Sequence, residues 1–149
     1  MAEEKSVIIM GELWRIKEGT EEEFPGLIGA DGYTDSSIRS IVIEATITHD
    51  TDPTAKANLE EYKKQVIRHE IIHAFLYESG LEGNTNKSKN WSQNEEMVDW
   101  IAIQFPKILS SIAGLYIFVI FLIILGSSNP LLLFSIFSFL IFSKVLRYS

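Results

Sequence analysis

His69-Glu70-Ile71-Ile72-His73 has the residue types and spacing of a metal-dependent hydrolytic site. Residues four apart lie on one face of a helix, so the imidazoles of His69 and His73 can share one metal ion. Glu70, between them in sequence, is placed to act as general base toward a water on that ion. The chain contains no cysteine, which excludes disulfides, thiolate zinc sites and a thiol nucleophile. Any metal site must therefore be built from histidine and carboxylate. A catalytic zinc takes three protein ligands and leaves one position open, so a third donor has to come from elsewhere.

The segment Asn94-Glu95-Glu96-Met97-Val98-Asp99 supplies it. Glu95 follows His73 by 22 residues, beyond a polar loop, and a helix–loop–helix reversal brings it back against the histidine face. Asp99, one turn further on, can accept a hydrogen bond from a ligand imidazole, which fixes its tautomer and raises its basicity. Ser92-Gln93-Asn94-Glu95 also fits a capping box, in which Glu95 bonds back to the Ser92 backbone and Glu96 becomes the ligand. Glu95 is preferred because it stands four residues from Asp99 on the same face. Two histidines and one carboxylate also suit non-haem iron, but the helical arrangement favours zinc.

These residues need elements to position them. Val7–Ile9 and Leu13–Lys17 read as short strands around Gly11, and Ile38–Ile47 as a longer one with Ile41 and Ile43 on an apolar face. Gly32–Ser37 between them reads as a turn. A helix is expected from Thr54 to Ser79, capped by Thr51 or Asp52 and stopped by Gly80. Leu59, Tyr62, Val66, His69, His73 and Leu76 recur along it at helical spacing. A second helix is expected from Gln93 to Phe105, ended by Pro106. His49, in a polar loop, reads as surface, and Trp91 and Trp100 as core. The sequons at Asn86 and Asn90 read as plain loop, since the amino terminus has no apolar core of a signal peptide.

His-Glu-x-x-His followed by Asn-Glu-x-x-x-Asp resembles the gluzincins, the thermolysin-like zinc metallopeptidases. The longer runs Val66–Leu81 and Asn94–Lys107 are similar to small metallopeptidase-like proteins of phages and integrative elements. The resemblance covers roughly residues 30–107 and excludes the C-terminal tail. It implies Zn2+ held by His69, His73 and Glu95, with Asp99 orienting His69 and Glu70 as the catalytic base. It also implies a peptide or protein substrate, such as a regulatory protein of a mobile element. The expected fold is α+β and minimally zincin-like: a small antiparallel sheet from residues 5–47 packed on the metal-binding helix and a second helix. Larger gluzincins contribute a histidine or tyrosine to the oxyanion. No such motif follows here, and Tyr33 and Tyr77 are the weak candidates. The strand Ile38–Ile47 is the expected edge for an extended peptide.

Composition divides the chain at Lys107. Residues 1–107 form the expected metallopeptidase domain. They hold all 20 acidic and 11 of the 13 basic residues, a net charge of about −9, which disfavours nucleic-acid binding. Residues 108–149 form an apolar tail whose first 36 residues carry no charge. Ile108–Leu125 is long enough to span a bilayer. Gly126–Pro130 reads as a turn and Leu131–Val145 as a second apolar stretch, so a transmembrane helical hairpin is expected. Lys107, Lys144 and Arg147 would then lie on one side, the cytoplasmic one. The expected protein is a membrane-tethered zinc peptidase with its catalytic domain facing the cytoplasm. A soluble cytoplasmic form is the alternative location. The competing functions are a non-catalytic metal-binding interaction module and a membrane-active protein whose hairpin is the working part.

Overall fold

A computed structural model describes residues 5–49, 56–82 and 94–125. The chain divides into two compact units, residues 1–104 and 105–149. The first is α+β. Its strands are β1 (Lys5–Ile9), β2 (Glu12–Gly19), β3 (Gly32–Asp35) and β4 (Ser40–Glu44), followed by helix α1 (Leu59–Glu78) and helix α2 (Glu95–Leu125).

The strand order is β1-β2-β4-β3. β1 and β2 form an antiparallel hairpin through Met10 and Gly11, both at positive φ (51° and 93°). This is the backbone twist that two-residue hairpin turns require. β2 then pairs in parallel with β4, and β3 is antiparallel to β4. The sheet is therefore mixed rather than antiparallel as expected. Residues 20–39 carry the chain back to the starting end of β2 before β4 begins, and local periodicity contains no trace of that return.

Two further expectations are corrected here. The Gly32–Asp35 segment is a strand and not a turn, and it occupies the edge of the sheet. β4 is interior and ends at Glu44, where a 3-10 helix, Ala45–His49, takes over. An interior strand has both neighbours in place, so Ile38–Ile47 cannot be the edge for a peptide; among the described residues β3 is the edge strand beside β4. Ile41 and Ile43 are fully buried under α1 and share the core with Ile9, Trp14, Ile47, Val66 and Ala74. Pairing sets Thr34 opposite Ile41 and Gly32 opposite Ile43. Alternation along β3 therefore turns Gly32 and Thr34 toward α1 and Tyr33 away from it.

Asn58 caps α1, its side chain accepting from the Glu61 amide at 3.1 Å. Thr51, Asp52 and the expected start at Thr54 lie outside the described residues. At the other end Gly80, at φ 74°, ends the helix as expected. The Gly80 amide bonds to the Tyr77 carbonyl and the Glu82 amide to the Leu76 carbonyl, satisfying groups the last turn leaves open.

α2 starts at Glu95, with the Asn94 side chain accepting from the Met97 amide at 2.9 Å. It continues through Pro106 to Leu125 instead of stopping. Proline removes the bond to the carbonyl four residues back, here Ala102. That carbonyl is not orphaned, because Arg68 Nε donates to it at 2.8 Å. Val98 and Ala102 are fully buried, whereas Trp100 is 58% exposed. Trp100 is thus not a core residue; α2 buries one narrow stripe and leaves its other faces open. Trp91 lies outside the described residues.

In the second unit, Ile108, Leu109, Ile112, Leu115, Tyr116, Phe118 and Val119 are all exposed. Among the described residues one helical segment, Glu95–Val119, is long and apolar enough to cross a membrane. The expected turn and second apolar stretch, 126–145, lie outside the described residues.

Candidate metal centre

The candidate ligands meet where α1, β3 and the start of α2 come together. His69 Nε2 and His73 Nε2 are 3.0 Å apart. Glu95 Oε2 stands 3.1 Å from the first and 3.4 Å from the second. Neighbouring ligand atoms around a tetrahedral zinc, at about 2.0–2.1 Å from the ion, stand roughly 3.3 Å apart. His69, His73 and Glu95 therefore form a group that could hold a metal ion.

Asp99 Oδ1 is 2.8 Å from His69 Nδ1. A carboxylate accepts, so Nδ1 donates, and Nε2 is the ring nitrogen left to face the Glu95 carboxylate at 3.1 Å. Two imidazoles and a carboxylate are donors that a metal ion takes.

The competition between Glu95 and Glu96 is decided by the cap. Asn94 occupies the capping position, so Glu95 is the first helical residue and is not the third residue that a capping box uses. The carboxylate of Glu95 reaches the imidazoles; Glu96 is not in the group. The Ser92 half of the capping box lies outside the described residues.

Glu70 is 6% exposed and lies against β3. Its carboxylate accepts from Thr34 Oγ1 at 2.8 Å, and the same hydroxyl is 2.9 Å from the Glu70 carbonyl. One hydroxyl has one hydrogen, so Thr34 shares it between the Glu70 carboxylate and carbonyl. Burial pushes the Glu70 carboxyl above its ordinary range; the Thr34 bond and the charges of His69 and His73 oppose this, and Glu95 adds to it.

Gly32 lets the strand come this close. A Cβ there would sit 2.9 Å from Val66 Cγ1 and 3.2 Å from Glu70 Cγ. Two open cavities flank the histidines. One, of about 330 Å³, is lined by Thr34, Ser36, Glu82 and Glu95 among others. The other, of about 220 Å³, is lined by Asp31, Lys56, Tyr62, Gln65 and Asp99. Both include Gly32, His69 and Glu70, so the group lies between them.

Tyr62 hydrogen-bonds to Asp31, with Lys56 Nζ 3.7 Å above its ring. Burial, then the Asp31 bond and charge, push its hydroxyl up to about 12. The two tyrosines read from sequence are placed otherwise. Tyr77 packs edge-on against Trp14 with ring centroids 6.3 Å apart. Tyr33 borders the larger cavity, with its ring against Gly26 on the face of β3 turned from α1.

Comparison with protein-family models, curated proteins and solved structures gives no match. The site is therefore read from its own residues. Thr34 and Gly32 were missed by sequence reasoning, and Tyr62 was read only as part of the helical stripe. Thr34 and Gly32 sit in a run with turn composition, and nothing local marks it as a strand. Tyr62 did carry a signal: it is seven residues before His69 and shares its helical face.

Proposed function

We propose that this chain is a zinc-dependent peptidase, tethered to the membrane through the apolar part of α2 and the tail, with its catalytic unit on the cytoplasmic side. The observation that carries the reading is the convergence of His69 Nε2, His73 Nε2 and Glu95 Oε2 within 3.0–3.4 Å, from two helices separated by a loop. Its zincin-like character and its substrate, a regulatory protein of a phage or mobile element, come from the gluzincin resemblance.

A zinc ion held by these three residues would lower the pKa of a coordinated water and polarise the scissile carbonyl. The chain's own groups do the rest. Asp99 holds His69 in the tautomer that presents Nε2. Glu70, buried beside the histidines, takes the proton of the attacking water and delivers it to the leaving amine. Its raised affinity for a proton suits a group that must both accept and release one near neutral pH. Thr34 orients the Glu70 carboxylate by donating to Oε2. The edge of β3 offers backbone groups to an extended peptide running between the two cavities.

The test is metal content and peptide hydrolysis of the full chain. One zinc per chain, lost in His73→Ala and Glu95→Ala but kept in Glu96→Ala, is expected. Glu70→Gln should keep the metal and lose hydrolysis. A wild-type chain that takes up no zinc refutes the proposal. One that holds zinc but cleaves no member of a peptide library is a binding module instead.

A further inference from the structure

We infer that Arg68 is a positioning residue for the metal centre: it locks helix α2 in the axial register that brings Glu95 to the two histidines. The inference rests on the metal reading above.

Three points of attachment to α1 lie along one stripe of α2, at Glu95, Asp99 and Ala102, spaced four and three residues apart. Glu95 and Asp99 reach His69. The third is the bond from Arg68 Nε to the Ala102 carbonyl at 2.8 Å, and it involves no imidazole and no metal. It is available because of Pro106. In an uninterrupted helix the Ala102 carbonyl accepts from the amide of residue 106; proline has no amide hydrogen, and its ring crowds that carbonyl. Arg68 fills the role from the neighbouring helix.

The guanidinium is itself held. Its Nη2 is 2.9 Å from Glu61 Oε1, two turns back on α1, so the two donors are fixed in direction by two acceptors. A planar fork can do this; an ammonium cannot hold both directions at once. Arg68 is also the residue next to His69, so the donor and the ligand share one segment of backbone.

A helix is stiff along its axis and rises about 1.5 Å per residue. A slip of α2 by one residue would break the Arg68 bond and shift Glu95 and Asp99 together from their present positions against the imidazoles. Arg68 thus acts on the metal through Glu95 and Asp99 without touching it.

The test uses the full-length protein in mild detergent, with zinc affinity measured by chelator competition and bound Co2+ followed by its visible absorption. Arg68→Ala should weaken zinc binding by about tenfold or more, in the range seen when outer partners of metal ligands are removed, and should alter the Co2+ spectrum as Glu95 is lost. Glu61→Gln, which leaves the Ala102 bond in place, should weaken binding less. In Arg68→Ala combined with Pro106→Ala, residue 106 returns an amide to the Ala102 carbonyl without tying α2 to α1; binding should stay weak. Wild-type affinity and spectrum in Arg68→Ala, or recovery of both in the double variant, would overturn the inference. So would loss of the fold in both variants, because Arg68 would then be purely structural. A wild-type chain that binds neither Zn2+ nor Co2+ sinks the metal reading itself, whatever Arg68 does.

Discussion

Thr34→Val isolates the contribution of one hydroxyl to the Glu70 base. The two side chains are close in shape, so the packing of β3 against α1 is kept while the donor to Glu70 Oε2 at 2.8 Å is removed. Glu70 is 6% exposed, so water has little access to replace the bond. A hydrogen bond to a charged group is worth about 1.5–3 kcal/mol. That energy favours the ionised base, so its loss lowers activity on the acidic limb by roughly 10- to 150-fold, at about 1.4 kcal/mol per decade, while the plateau at higher pH is kept. The pH profile should move. Thr34 donates to the ionised carboxylate, so its loss favours the protonated form and raises the Glu70 pKa further. The base works only above that pKa, and the acidic limb of kcat/KM shifts to higher pH. Thr34 touches none of the three ligand atoms, so zinc content should not change. The assay is hydrolysis of a quenched fluorescent peptide across pH, with zinc measured on the same samples. An unmoved acidic limb would refute the role given to Thr34. Loss of zinc would show instead that the strand, not the hydroxyl, had been disturbed.

Asp99→Asn should lower zinc affinity by about 10- to 100-fold in chelator competition, because the neutral amide no longer enforces the His69 tautomer. Gly32→Ala should destabilise the first unit by about 1–3 kcal/mol in urea unfolding, since its Cβ would stand 2.9 Å from Val66 Cγ1. Glu78 accepts from Arg39 Nε at 2.8 Å and Trp14 Nε1 at 3.0 Å, and the Arg39 bond, aided by Trp14, holds its carboxyl below the ordinary value. Its stabilising effect is present above the pKa of an unfolded glutamate and is lost as pH falls through the depressed folded value. Urea midpoints measured down that window should fall more steeply in wild type than in Glu78→Gln, and equal slopes would contradict the assignment.

The meeting of His69, His73 and Glu95 could be read from the sequence because helical periodicity is local. Four-residue spacing puts His69 and His73 on one face whatever surrounds them, and the same rule pairs Glu95 with Asp99. Gly80 as the helix stop and the α+β class are legible for similar reasons, since capping chemistry and strand alternation are properties of short segments. Composition alone likewise marks the apolar tail. The choice between Glu95 and Glu96 needed the cap, because either residue is reachable until Asn94 fixes where the helix starts.

What only the tertiary structure decided depends on contacts between distant segments. The parallel pairing of β2 with β4 makes β3 the sheet edge. This brings Thr34, 36 residues away in sequence, onto Glu70. A proline that reads as a helix stop is accommodated because a guanidinium on another helix accepts the duty of its missing amide. Backbone propensity is set within a few residues. Where a buried carboxylate finds its donor, or an interrupted helix finds its lost hydrogen bond, is set by whichever element packs against it, and no window of the sequence contains both partners.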